Sequence, residues 1–123
     1  MIAVVDYGIG NLRSAEKALQ HVGADARLTT SAGEIANADA VVLPGVGNFG
    51  ACMRALHESG LETVTVEAAT DGRPFLGICV GMQMLFDGSD ESPDVDGLGV
   101  IHGRVTRLPS TVRLPQIGWI TLT

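Results

Sequence analysis

Aromatic residues are scarce in this sequence: three Phe, one Tyr and one Trp among 123 residues. A core built from so few rings must be aliphatic, and with sixteen glycines available for tight turns this suits an α/β protein better than an all-β one. Cysteine is nearly absent too. Cys52 and Cys79 are too few for a disulfide-built scaffold and read as free thiols. Basic residues are outnumbered, eight Lys and Arg against fourteen Asp and Glu, for a net charge of −6. No basic stripe exists to neutralise phosphates, which excludes a nucleic-acid footprint. There is no run of eighteen apolar residues, and Met1 opens directly into "IAVVDYG" rather than a basic-then-apolar leader. The expectation is a soluble, cytoplasmic protein without membrane contact. Its length suits one domain, residues 1–123, around a single core.

What is present is an alternation. "MIAVVDYGIGN" is a short buried-strand pattern ending in Asp6 and a glycine-rich turn. Asn11 or Ser14 is placed to cap the helix "LRSAEKALQHVG", whose Leu12, Ala15, Leu19 and Val22 share a face and which Gly23 stops. "DARLTT" predicts a second strand and "ADAVVLPGVG" a third, apolar enough for burial on both faces. "NFGACMRALHESG" and "LETVTVEAATDG" predict helices, "RPFLGI" a fourth strand, and a further helix is expected from near Met82. Strands alternating with helices through short glycine turns predict a mostly parallel sheet flanked by helices.

After Phe86 the pattern changes. "DGSDESPDVDG" holds five acids without the ligand spacing of a calcium loop and reads as a solvated loop; no metal is expected. "LGVIHGRVTRL" and "QIGWITLT" predict strands, taken as antiparallel additions to the sheet. A doubly wound sheet normally closes with a further helix, so the fold is expected to be C-terminally incomplete. Its last strand would then be open to self-association or to another chain.

The chemistry concentrates in "FLGICVGMQMLF". Gly77-Ile78-Cys79-Val80-Gly81 has the form of a nucleophile elbow, a strand–turn–helix that holds its nucleophile in a strained conformation. The helix that follows would aim unpaired N–H groups at the sulfur and favour the thiolate. The Val80 N–H would point where an oxyanion forms, and a second donor would come from "PGVG" at the same sheet edge. Such donors are typically worth about 3 kcal/mol each in the barrier. The plain alternative makes Cys79 a small buried hydrophobe in a tight turn, as Cys52 is expected to be inside its amphipathic helix.

A thiol nucleophile for acyl transfer also needs a base, usually a histidine. His21 and His57 fall near helix C-termini and His102 lies in the late additions; none follows a late core strand, where a partner for the elbow is expected.

"VVDYGIGNLRSAEKAL", "VVLPGVGNFGACMRAL" and "FLGICVGMQMLF" together resemble class I glutamine amidotransferases. The match is narrower still to the glutaminase subunits of imidazole glycerol phosphate synthase, because Gly81-Met82-Gln83 and the "DYGIGNL" start fit that group; "GLGVIHGRVTRL" and Gly118-Trp119 continue it. The resemblance implies a flavodoxin-like fold and an enzyme without cofactor or metal. It would hydrolyse glutamine to glutamate and ammonia, the ammonia passing to a (βα)₈-barrel cyclase subunit of histidine biosynthesis. It also implies Cys79 as the nucleophile, the N–H groups of Val46 and Val80 as oxyanion donors, and Gly47 and Gln83 as substrate contacts. Asn11, Leu12, Arg13, Ser14 and the neighbourhood of Trp119 would face the cyclase.

Two departures accompany it. The family's catalytic His and Glu lie in a C-terminal H-x-E motif that these 123 residues do not contain. Where the family usually reads His-Met-Gly-Trp-Asn, this chain has Gln116, Ile117, Gly118, Trp119 and Ile120. The expectation is a chain that carries nucleophile and oxyanion loop but not base, with little or no activity alone. The alternative is a flavodoxin-like scaffold or oligomerisation module with a relic elbow; a redox-sensing thiol ranks third, for want of a resolving cysteine.

Overall fold

A computed structural model describes residues 1–123. In chain order the elements are β1 (Ile2–Val5), α1 (Leu12–His21), β2 (Ala26–Thr29), α2 (Ala32–Asn37), β3 (Ala40–Gly45), α3 (Phe49–Glu58), α4 (Glu62–Thr70), β4 (Phe75–Cys79), α5 (Val80–Gln83), β5 (Phe86–Ser89) and β6 (Ile101–Val105). The first four strands form one sheet in the order β2-β1-β3-β4, every pair parallel. That order is the flavodoxin-like one, with its switch point between β1 and β3.

Strand periodicity explains the two layers. Ala3, Val5, Val41 and Leu43 point to one face, where α2, α3 and α4 cover them with Ile35, Phe49, Cys52, Leu56, Val64 and Ala68. Val4, Val42 and Ala26 point to the other, against Ala15 and Leu19 of α1. β1 and β3 are buried on both faces, as their unbroken apolar runs require. Each fully buried Leu or Val is worth roughly 1.5–3 kcal/mol.

Arg73 fixes the entry to β4. Its Nη1 donates to the carbonyls of Ile35, Ala36 and Ala38 at 2.8, 3.1 and 2.8 Å, tying down the end of α2. Asp71 holds the same guanidinium through Nε and Nη2, and those hydrogen bonds hold the Asp71 carboxyl below the usual carboxylate range.

Four expectations are corrected. The helix after the elbow is a single turn, Val80–Gln83, and Phe86 already begins a strand. The additions are not antiparallel: β5 and β6 form a parallel pair, Phe86 beside Ile101 and Ser89 beside Val105, with one antiparallel bridge from Gly88 to Asp96. "QIGWITLT" is not a strand. Residues 106–123 form no helix or strand, and Ile117, Trp119, Ile120 and Leu122 lie exposed, so the open edge is not at the last residues. The acid-rich stretch is not simply solvated, because Ser89 is buried and Asp87 accepts from the Gly103 N–H at 2.9 Å. Helix α2 had no sequence expectation; Ser31 caps it by accepting from the Glu34 N–H. Asn11 does occupy the N-cap of α1, without a side-chain bond.

Candidate active site

Because the sheet is parallel, β1, β3 and β4 all deliver their carboxyl ends to one edge. There Cys79 ends β4 and is exposed, with a free thiol. Its φ of 55° makes it the one non-glycine residue with positive φ. A left-handed conformation costs a residue with a Cβ about 1–3 kcal/mol and persists only where the surroundings enforce it. Here they do. A Cβ at Gly77 would stand 2.7 Å from the Met82 Cα, one at Gly81 1.9 Å from the Leu43 carbonyl oxygen, and one at Gly45 2.6 Å from the Gly81 N. The elbow is pressed backbone to backbone against β3, and the glycines are what that approach requires.

In the β3–β4 register Gly45 lies beside Cys79, so the loop that follows, Val46 to Asn48, leaves the sheet next to the thiol. Neither the Val46 nor the Gly47 N–H donates to a backbone carbonyl. The Val80 N–H, first in a helical turn, has no partner within that turn. The loop's carbonyls, in contrast, are engaged. Tyr7 donates to the Pro44 carbonyl at 2.5 Å, and the Cys52 thiol to the Val46 carbonyl at 3.2 Å. Burial, reinforced by the neighbouring Cys52, holds the Tyr7 phenol far above the usual tyrosine range, so it stays a donor. Gln83, half-buried one turn after Cys79, lines a cleft of about 530 Å³ with Ser89, Asp90, Glu91 and Arg107.

Residues 7–112 match the family of CobB/CobQ-like glutamine amidotransferase domains. The chain belongs to the glutamine amidotransferases. It is 47% identical over its whole length to the imidazole glycerol phosphate synthase subunit HisH of Caldanaerobacter subterraneus subsp. tengcongensis, covering 61% of that protein. It is 50% identical over 97% of its length to the protein of the same name from Methanothermobacter thermautotrophicus, covering 59% of it. The chain thus spans about three fifths of the length of these curated relatives. A solved structure described as a crystal structure of glutamine amidotransferase superposes with a TM-score of 0.71 at 23% identity, over 87% of this chain and 57% of that one; the likeness carries the fold.

Within this amidotransferase fold the other residues singled out in the sequence fall into separate places. The Gly8–Asn11 turn leaves β1 at the elbow's edge, where Gly10 packs near Pro44 and Gly45. Asn11, Arg13 and Ser14 are exposed there and Leu12 is half-buried. Trp119 is fully exposed in the segment without regular structure. The histidines do not join Cys79. Helices α1 and α3 run back from the carboxyl edge, which leaves His21 and His57 in their last turns; His57 lies about 12 Å along α3 from its start. It pairs there with Glu62 at 2.8 Å. His102 is exposed, 3.9 Å from Asp87.

Glu91 and Ser92 were missed from the sequence. Glu91 accepts from the Phe49 N–H at 2.7 Å, Ser92 from Gly50 at 3.0 Å, and Asn48 from Ala51 at 3.0 Å. The first three N–H groups of α3 are thereby satisfied, two of them from residues forty-two positions away. Only the helix's need for caps hinted at such partners. No helix is long and apolar enough to cross a membrane.

Proposed function

We propose that this chain is the nucleophile-bearing part, a partial domain, of a cytoplasmic glutaminase subunit of imidazole glycerol phosphate synthase. The observation that carries the reading is Cys79 at φ 55°, locked between Gly77 and Gly81 beside the free N–H groups of the Val46–Gly47 loop. The Cys79 thiolate attacks the side-chain carboxamide carbon of glutamine. The Val46 and Val80 N–H groups receive the oxyanion. The C–N bond then breaks, ammonia leaves with a proton from the base, and water hydrolyses the glutamyl thioester to glutamate. Gly47 and Gln83 contact the substrate. Ammonia passes to a (βα)₈-barrel cyclase that docks on Asn11, Leu12, Arg13, Ser14 and the Trp119 neighbourhood. Neither nucleic acid nor membrane takes part. The base lies outside these 123 residues, so alone they are slower than a complete triad by orders of magnitude.

The test is labelling of Cys79 by a glutamine-like electrophile, followed by mass spectrometry with Cys52 as internal control. Selective labelling of Cys79, blocked by glutamine and without ammonia release at an ordinary enzyme rate, is expected. Equal or absent labelling of the two thiols sinks the reading.

A second reading, a scaffold or self-association module with a relic elbow, draws on Leu76 and Ile78, exposed on β4 at 50% and 37%. A defined oligomer that ignores glutamine would favour it.

A further inference from the structure

Two buried side chains that take no part in the chemistry above converge on the Pro44–Gly47 loop from inside the core. Tyr7, 5% exposed, reaches up from the end of β1 to the Pro44 carbonyl and also lies 3.7 Å from the Met84 sulfur, which follows the elbow turn. Cys52, fully buried on α3, reaches the Val46 carbonyl. We propose that Tyr7 and Cys52 are positioning residues that hold the Pro44 and Val46 carbonyls inward, so that the Gly47 N–H, the substrate contact named above, stays turned to the mouth of the loop. The chemistry of this inference rests on the glutaminase reading.

The physical argument is peptide planarity. A trans peptide directs its C=O and the following N–H in opposite directions. With the Val46 carbonyl held against Cys52, the Gly47 N–H is turned outward at the exposed mouth of the loop. The reverse orientation of that peptide would present a carbonyl to the substrate and leave the buried Cys52 thiol without its acceptor, and an unmet buried donor is destabilising. Glycine at 47, with φ 79°, lets the chain hold this arrangement at low cost. Tyr7 touches both halves of the site, which couples the loop to the elbow.

The experiment compares two electrophiles on Cys79 in the 123-residue chain. A glutamine-like chloroketone must seat its amino-acid part against the Gly47 N–H before it reacts; iodoacetamide displaces iodide directly and needs no such contact. In Cys52→Ala the chloroketone rate is expected to fall about tenfold, the scale of one lost orienting hydrogen bond, while the iodoacetamide rate holds. Cys52→Ser, which keeps a donor, restores the chloroketone rate, and Tyr7→Phe behaves like Cys52→Ala. Both rates falling together, neither falling, or failure of serine to rescue overturns the proposal. If the wild-type Cys79 shows no preference for the glutamine-like reagent, the glutaminase reading is what fails. Amide hydrogen exchange over Val46–Asn48 then judges the clamp: faster exchange in Cys52→Ala, reversed in Cys52→Ser, supports it, and equal exchange overturns it.

Discussion

On its β2 side the sheet ends behind α1, whose side chains turn back onto the strand: Glu16 accepts from the Leu28 N–H at 2.7 Å, and Gln20 donates to the Ala26 carbonyl at 2.9 Å. On its β4 side nothing comparable happens. The outer edge of β4 pairs with no strand, and Leu76 and Ile78, on the face of Val42 and Pro44, stay exposed. Met82, just past the elbow, adds a third exposed apolar side chain at 46%. An edge blocked by a carboxylate and an amide resists further pairing; a bare apolar edge invites it. The nucleophile therefore sits on the bare side of the sheet, where the elbow is pressed against β3.

The largest break in this comparison is expected at that contact. Gly81→Ala places a Cβ against the Leu43 carbonyl, and a backbone collision in a packed site should cost about 3 kcal/mol or more, read as a lower urea midpoint. An unchanged midpoint would mean the β4 side has slack that the structure does not show. At the other edge, Glu16→Ala removes a charge-assisted bond from a mostly buried carboxylate. A loss of about 1.5 kcal/mol is expected, together with new concentration-dependent light scattering as the β2 edge opens.

Tyr7 sharpens the comparison from the interior, between the two edges. Its phenol keeps its proton far more tightly folded than unfolded, so it contributes stability in full below the unfolded value of about 10 and loses it as pH rises beyond. The stability gap between wild type and Tyr7→Phe should be constant from neutral pH to about pH 9 and shrink above about pH 10. A gap independent of pH would place the phenol in water. The smallest effect on stability belongs to the double change Leu76→Lys and Ile78→Lys on the open side. It should shift the urea midpoint by less than about 0.5 kcal/mol, since these side chains are already half in solvent, while abolishing any self-association of the wild type in sedimentation. A large destabilisation would mean that this face is packed after all.

The candidate site was partly legible before any coordinates. Glycines two residues on either side of Cys79 announce a turn too tight for side chains, and "PGVG" after an apolar run announces a loop at a strand's carboxyl end. Both are local steric statements and need no tertiary context. The caps on α3 were not legible, because Glu91 and Ser92 look like any solvated acid and serine until a strand carries them back across forty-two residues. The one-turn length of α5 was hidden for a related reason. "MQMLF" is apolar enough for either helix or strand, and pairing with β6 decides for strand from Phe86 onward. In "QIGWITLT" the β-forming composition finds no partner strand, and without a ladder composition alone does not make one.

By itself, then, the sequence determined the alternation of strands and helices, the parallel sheet that alternation implies, and the strained corner at Cys79. Period, turn chemistry and the space beside a glycine are set within a few residues along the chain. Only the tertiary structure decided which edge is closed, which face of β4 stays bare, and which buried donors hold the loop beside the thiol. Those outcomes depend on hydrogen bonds and packing between segments distant in the chain, whose meeting is a property of the fold and not of any local pattern.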